Sequence, residues 1–329
     1  MARKDNYALL YRVADYYYND GLSQDEIAKI ENFSRPHVSR LLDRAKELGI
    51  VKINVIMPEI LSTDMLAEEL RQLLDLKAVS VCPLSSPHDE PSFEVAHHAT
   101  DVLDEYLEDA SCVGLGWGYT MYQTARIINH KINKENLTFV PLVGLSTFSV
   151  PYFISNNIVN LFAENTDSQG YYSSVPLIKS KEKLSDLEEM SFKGLQEQWK
   201  KIDAAILSVG GTPSKARMQR DPIATEYNEY IATVDINGVM LAHYFDAEGN
   251  VLDEQIARYF DIATYDLEDL KKLKSSICIA GGEAKVDAII MFAKKKFFNK
   301  LITDENAARL MIEKLRQEKP EENTETEED

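Results

Sequence analysis

The stretch Ser23–Val55, SQDEIAKIENFSRPHVSRLLDRAKELGIVKINV, contains two short helical patterns, a tight turn between them, and an alternating apolar run at its end. Ser23 and Glu26 stand at capping-box spacing, which starts a first helix. Ser34 can cap a second, whose first turn accepts Pro36 because that position has no intrahelical acceptor for an N–H. On the second helix Val38, Leu41, Leu42, Ala45 and Leu48 share one side at helical spacing. Arg35, His37, Ser39, Arg40 and Arg44 then fall on the other sides and toward the amino end. These are groove-reading residue types. Arginine spans guanine O6 and N7, serine and histidine bond base edges or phosphates, and Ser34 brings a helix amino terminus that suits a phosphate. Val51, Ile53 and Val55 alternate after Gly49 and predict a strand closing a winged helix-turn-helix. An ordinary αα-hairpin is the alternative; the short turn, the cap and the basic second helix together favour the DNA-binding motif.

The chain has 329 residues and a formal net charge of −18, too long for a DNA-binding module alone and too acidic, taken whole, to approach a phosphate backbone. The acidity is uneven. Residues 1–56 hold nine Lys/Arg against eight Asp/Glu, net +1, whereas the remainder holds 27 against 46, net −19. DNA contact is therefore expected at one end only. Cys82, Cys112 and Cys278 lie far apart in apolar runs, which predicts buried thiols and gives no metal or disulfide framework. No apolar stretch has membrane-spanning length and the first 20 residues form a charged amphipathic pattern, so a cytoplasmic protein without membrane contact is expected.

After Pro58, amphipathic helices alternate with apolar strand patterns: VSVCPL, CVGLG, LTFVPLVG, YYSSVPLI, AAILSVGG and ICIAGG. That alternation predicts a mostly parallel sheet covered on both faces, hence a Rossmann-like α/β domain over 57–316. The last 13 residues, QEKPEENTETEED (317–329), carry seven acids and one lysine and read as a solvated acidic tail.

In open α/β sheets ligands bind beyond the carboxyl ends of the strands. Two such places carry suitable chemistry. Gly116, Gly118, Tyr119 and Thr120, in GWGYT, offer close backbone approach and hydroxyl donors at a helix start, which suits a phosphate; a purely structural turn is the alternative. Tyr119 stands where a dinucleotide fingerprint needs its last glycine. In ICIAGGEAKVDAI, Gly281 and Gly282 end a strand and Lys285 falls in the first helical turn, where a cation opposes the helix dipole unless an anion is bound nearby. The alternative is a solvated lysine with Glu283 offsetting the dipole. His97 and His98 have no partners at ligand spacing, no catalytic set stands out, and no cofactor is called for.

In their order, SRPHVSRLLDRAKELGIV, VGLGWGYT, PLVG, NNIVNLFAEN with VPLI, AAILSVGG, HYFDAEGN, and ICIAGGEAKVDAI with LITDENAARLM resemble the SorC (SorC/DeoR-like) sugar-binding transcriptional regulators of bacteria, up to about Leu315. The resemblance implies a sugar-phosphate isomerase/deaminase/CoA-transferase-like effector domain, a phosphorylated sugar or similar effector, double-stranded operator DNA as partner, and a homotetramer. It places the phosphate loop on Gly116 to Thr120, the GGxxK lysine on Lys285, and an effector-facing Asn on Asn156. The family commonly carries an Asp where this chain has Val239; Asp235 lies four residues earlier and reaches that place only with a shift in strand register. A valine accepts no hydrogen bonds from sugar hydroxyls. The function implied is effector-controlled regulation, most often repression, of a carbohydrate or nucleoside operon. A sugar-phosphate isomerase or deaminase with an accessory DNA-binding domain, and a constitutive DNA-binding protein, are the alternatives.

Overall fold

A computed structural model describes residues 6–51, 59–84, 90–107, 109–129, 137–146, 150–180, 185–212, 235–252 and 260–318. The chain divides into two units, Met1–Pro58 and Glu59–Asp329. In the first, α1 (Tyr7–Tyr18), α2 (Gln24–Ile30) and α3 (Arg35–Glu47) surround a core of Leu10, Val13, Ala14, Ile27, Ala28, Val38, Leu42 and Ala45. Ser23 and Glu26 form the reciprocal capping box at the start of α2. The turn into α3 passes through Asn32 at φ 53°, a left-handed conformation that asparagine tolerates better than most residues. The guanidinium of Arg12 on α1 grips Glu31 at the end of α2 through two hydrogen bonds, of 2.6 and 2.8 Å. Ser34 occupies the cap position of α3, but its side chain makes no capping hydrogen bond, contrary to expectation. Of the predicted closing strand, only Val51 is among the described residues; Ile53 and Val55 lie outside them.

The second unit is built on a seven-stranded parallel sheet in the order β1-β12-β11-β6-β2-β3-β4. Its strands are β1 (Ala78–Cys82), β2 (Cys112–Leu115), β3 (Thr138–Pro141), β4 (Gln169–Gly170), β6 (Ala204–Leu207), β11 (Ser275–Ile279) and β12 (Lys300–Asp304). Every residue of β2, β6 and β11 is buried, as strands covered on both faces must be. The covering helices are α4 (Glu59–Leu73), α5 (Pro91–Tyr106), α6 (Tyr119–Ile127), α7 (Ser155–Asn165), α8 (Asp186–Trp199), the short α9 (Leu267–Leu270), α10 (Val286–Lys294) and α11 (Glu305–Glu318). Helix α11 extends through Gln317 and Glu318, the first two residues assigned from sequence to the acidic tail. The three cysteines are buried, and none of them is in a disulfide.

Two small antiparallel sheets were not anticipated. One pairs β5 (Ile178–Ser180) with β10 (Phe260–Ile262); the other joins β7 (Val209–Gly210), β8 (Gly238–Met240) and β9 (His243–Phe245). Most of YYSSVPLI, expected as a strand, is irregular, and only its last residue enters β5. Strands of two or three residues are too short to show a two-residue period.

From β2 the chain moves outward to β3 and β4, and from the adjacent β6 it moves the other way to β11 and β12. The reversal lies between β2 and β6. Their carboxyl ends therefore form the crevice in which doubly wound sheets bind ligands.

Candidate functional site

On α3, Ser34, Arg35, Arg40 and Arg44 are exposed while His37 and Ser39 are half-buried. Each arginine has a weak partner within its own unit. Arg35 lies 3.8 Å from Asp25, Arg44 bonds Glu47 at 2.8 Å, and the Nε of Arg40 donates to the Pro36 carbonyl at 3.2 Å. Exposed pairs of this kind contribute about 0 to 1 kcal/mol, so a phosphate or base edge can displace them. His37 packs its ring edge-on to Phe33, with centroids 4.7 Å apart, which fixes it against the turn. The His37 N–H bonds the Ser34 carbonyl and Pro36 has none; of the first-turn amides of α3, that of Arg35 has no acceptor among the described residues.

The sheet crevice brings together two segments far apart in sequence. After β2, Gly118 at φ 117° turns the chain into α6. After β11, Gly282 at φ 94° turns it into a 3-10 turn, Glu283–Lys285, that continues as α10. Lys285 is thus the residue before α10 rather than within its first turn, still at the positive end of that helix dipole. The Lys285 Nζ meets the buried Thr120 Oγ1 at 3.4 Å, across 165 residues of sequence. At that length the bond is weak, so an anion arriving between the two groups would displace little.

The backbone amides divide differently from the sequence expectation. Gly116 donates to Ile206 O at 2.8 Å and Gly118 to Tyr152 O at 2.9 Å, so both glycine amides are committed to the fold. The amides of Tyr119, Thr120 and Met121, in the uncapped first turn of α6, have no acceptor among the described residues. The glycines serve by being small. A Cβ on Gly116 would lie 3.2 Å from the Leu207 backbone. Tyr119 is exposed and stands edge-on to Tyr152 at 6.0 Å.

Asn156 spends its side chain elsewhere: Nδ2 donates to Ser173 O at 2.9 Å and Oδ1 accepts from Ser173 N–H at 3.1 Å. It fixes a chain segment, and a ligand would meet it only after displacing those bonds. Asp235 is exposed just before β8. Val239, on β8, pairs with Gly210 of β7 and with Tyr244 of β9.

Sequence reasoning assigned no role to Gly211. A Cβ there would fall 2.0 Å from Ala284 O, so the glycine lets the Lys285-bearing turn lie against the end of β7. The pair Gly210–Gly211 after an apolar run was the available signal. His98 proves satisfied, its Nε2 lying 2.7 Å from the Ser80 hydroxyl. No cluster able to hold a metal occurs among the described residues, nor does any helix among them have the length and apolarity to cross a membrane.

Residues 59–313 match the family described as "Putative sugar-binding domain". The deoxyribonucleoside regulator of Bacillus subtilis (strain 168) is 29% identical over 316 residues, covering 95% of this chain and 99% of that protein. The sorbitol operon regulator of Klebsiella pneumoniae is 21% identical over 318 residues, covering 95% and 100%. The crystal structure of that full-length regulator, SorC, superimposes with a TM-score of 0.63 over 94% of this chain and 100% of its own. A transcriptional regulator from Streptococcus pneumoniae TIGR4 gives 0.67 at 22% identity, over 78% and 98%. At such identities the superpositions speak for the fold alone. These relatives are named as regulators, not as enzymes, which sets aside the isomerase or deaminase alternative. With the effector-domain family matched from Glu59 to Glu313 and regulators aligned along nearly the whole chain, this protein belongs to the SorC family of sugar-binding transcriptional regulators.

Proposed function

We propose that the chain is a repressor of a carbohydrate or nucleoside utilisation operon, that α3 contacts operator DNA through Ser34, Arg35, His37, Ser39, Arg40 and Arg44, and that a phosphorylated sugar or related molecule controls it from the crevice between β2 and β6. The approach of Lys285 to Thr120 is the observation that carries this reading. A cation and a hydroxyl from two strand ends converge beside the open amides of Tyr119, Thr120 and Met121, and a phosphate satisfies all of them at once. The effector acts by binding the DNA-competent and DNA-incompetent states with different affinity; the affinity ratio sets the size of the response. A unit whose first 56 residues carry net +1 offers few phosphate contacts, which supports a homotetramer on an inverted-repeat operator. Light scattering with operator present then gives four subunits, and a monomer at micromolar concentration overturns that part.

Isothermal titration with sugar phosphates and their unphosphorylated counterparts tests the site. The phosphorylated forms alone are expected to bind. Lys285→Ala weakens that binding by about 1.5 to 3 kcal/mol, the range for a hydrogen bond to a charged group, with basal DNA affinity unchanged. Equal binding of unphosphorylated ligand by both proteins would make Lys285 a surface charge.

A further inference from the structure

Asp304 is the last residue of β12 and, with no connecting loop, the residue immediately before α11. Its side chain has no solvent exposure. One carboxylate oxygen, Oδ1, accepts the Ala307 N–H at 2.9 Å and so caps α11. The other, Oδ2, accepts the Gly282 N–H at 2.6 Å. Gly282 opens the turn that ends in Lys285. The carboxylate also fills the place where a side chain at position 281 would begin: a Cβ on Gly281 would lie 2.6 Å from Asp304 Oδ2.

Capping a helix needs one oxygen, and a serine supplies it as well as an aspartate does. Burying a whole carboxylate costs desolvation that the cap alone does not require. The second oxygen fixes the backbone of Gly282, and with it the direction in which Glu283–Lys285 leaves the sheet. We propose that Asp304 is a positioning residue for the effector site, holding the Gly282 turn so that the Lys285 ammonium meets Thr120 and a phosphate between them. The proposal rests on the anion site described above and goes beyond it by assigning its geometry to a residue that touches no ligand. Its shared oxygens also tie that turn to the first turn of α11, whose Arg309 and Arg316 bond Ser62 and Glu69 of α4 at 3.0 and 2.8 Å.

The test uses inorganic phosphate as probe on the full-length protein, with isothermal titration and thermal melting of wild type, Lys285→Ala, Asp304→Ser and Gly281→Ala. Serine keeps the cap on Ala307 and cannot reach Gly282; alanine at 281 pushes the carboxylate aside. Both are expected to bind phosphate at least tenfold more weakly than wild type, and Asp304→Ser to melt close to it without phosphate. Binding within twofold of wild type by both variants, when Lys285→Ala has lost it, overturns the positioning role and leaves the anion site standing. A wild type indifferent to phosphate overturns both. Where neither variant folds, amide resonances of the wild type decide: those of Gly282 and Ala307 shift together along one phosphate titration curve if the carboxylate links them, and an Ala307 resonance that stays still while Gly282 moves overturns the role.

Discussion

The two candidate sites of this chain are built in opposite ways. The proposed DNA-binding one lies within a single helix and its cap, six residues within eleven positions of sequence, four of them exposed. The proposed effector site takes Thr120 from one strand end and Lys285 from another, 165 residues apart, and depends on glycines at 116, 211, 281 and 282 that let backbone lie against neighbouring atoms or turn sharply. The first needs only a correctly folded helix; the second needs the whole sheet in register. Substitutions should therefore act on the first through the stability of a small core, and on the second through displacement of fractions of an ångström.

The largest expected effect comes from the small core. Leu42, 3% exposed, is one of eight buried apolar residues among the described residues of the first unit. Leu42→Ala should cost about 2 to 5 kcal/mol, enough to unfold a unit of that size while the effector domain stays folded. Calorimetry should show a low-temperature transition lost and the main one unmoved, together with loss of DNA binding and an intact phosphate titration. A single transition shifted as a whole would mean that the units share their stability.

Gly211→Ala probes the opposite case. Its Cβ would fall 2.0 Å from the Ala284 carbonyl oxygen, a backbone atom that no side-chain rotation can move away, so the turn carrying Lys285 must move. Overpacking of this kind costs about 1 to 3 kcal/mol of stability. Phosphate affinity should fall as it does in Lys285→Ala, and DNA affinity without effector should stay near wild type.

Arg40→Ala sharpens the comparison from the DNA side, with an expected cost of about 1 to 3 kcal/mol on operator DNA and much less on random DNA. Equal losses on both would make Arg40 a phosphate contact.

The same contrast explains what was legible in the sequence. The capping box at Ser23, the helical stripe of Val38, Leu42 and Ala45, and the long strand–helix alternation are local or periodic signals, and each corresponds to an element of the fold. GWGYT and GGEAK were recognisable as strand-end loops, and chain topology does bring them together. The use of individual groups was not legible. Nothing local says that the Gly116 and Gly118 amides are consumed by Ile206 and Tyr152, that Asn156 serves Ser173, or that Gly211 abuts Ala284, because each partner is supplied by tertiary packing. The small antiparallel sheets escaped for a different reason, since strands of two or three residues carry too few positions for a period to register.

The smallest expected effect separates the two units by pH. In the second unit, burial holds the His98 imidazole below its ordinary pKa, with Asp101 raising it and His97 lowering it further, and the Ser80 hydroxyl bonds Nε2. As pH falls below about 6.5 the unfolded chain takes up a proton that the folded one resists, so stability is flat above that pH and declines beneath it. His98 is partly exposed, and screening should keep the loss under about 1 kcal/mol over the first pH unit. In the first unit the matching group is Glu31, held below the usual carboxylate range by its hydrogen bonds to Arg12. Its stabilising contribution is complete above the unfolded carboxylate pKa, near 4.3, and is lost only as pH drops through the lower folded value. Mild acid should therefore weaken the effector domain while the helix-turn-helix is untouched. Urea titrations at about pH 7.5 and 5.5, followed by probes in each unit, should show the second unit's midpoint falling and the first unit's holding; His98→Gln, which can keep a bond to Ser80 without titrating, should remove the difference. A midpoint that falls equally in the variant would place the acid-sensitive group elsewhere.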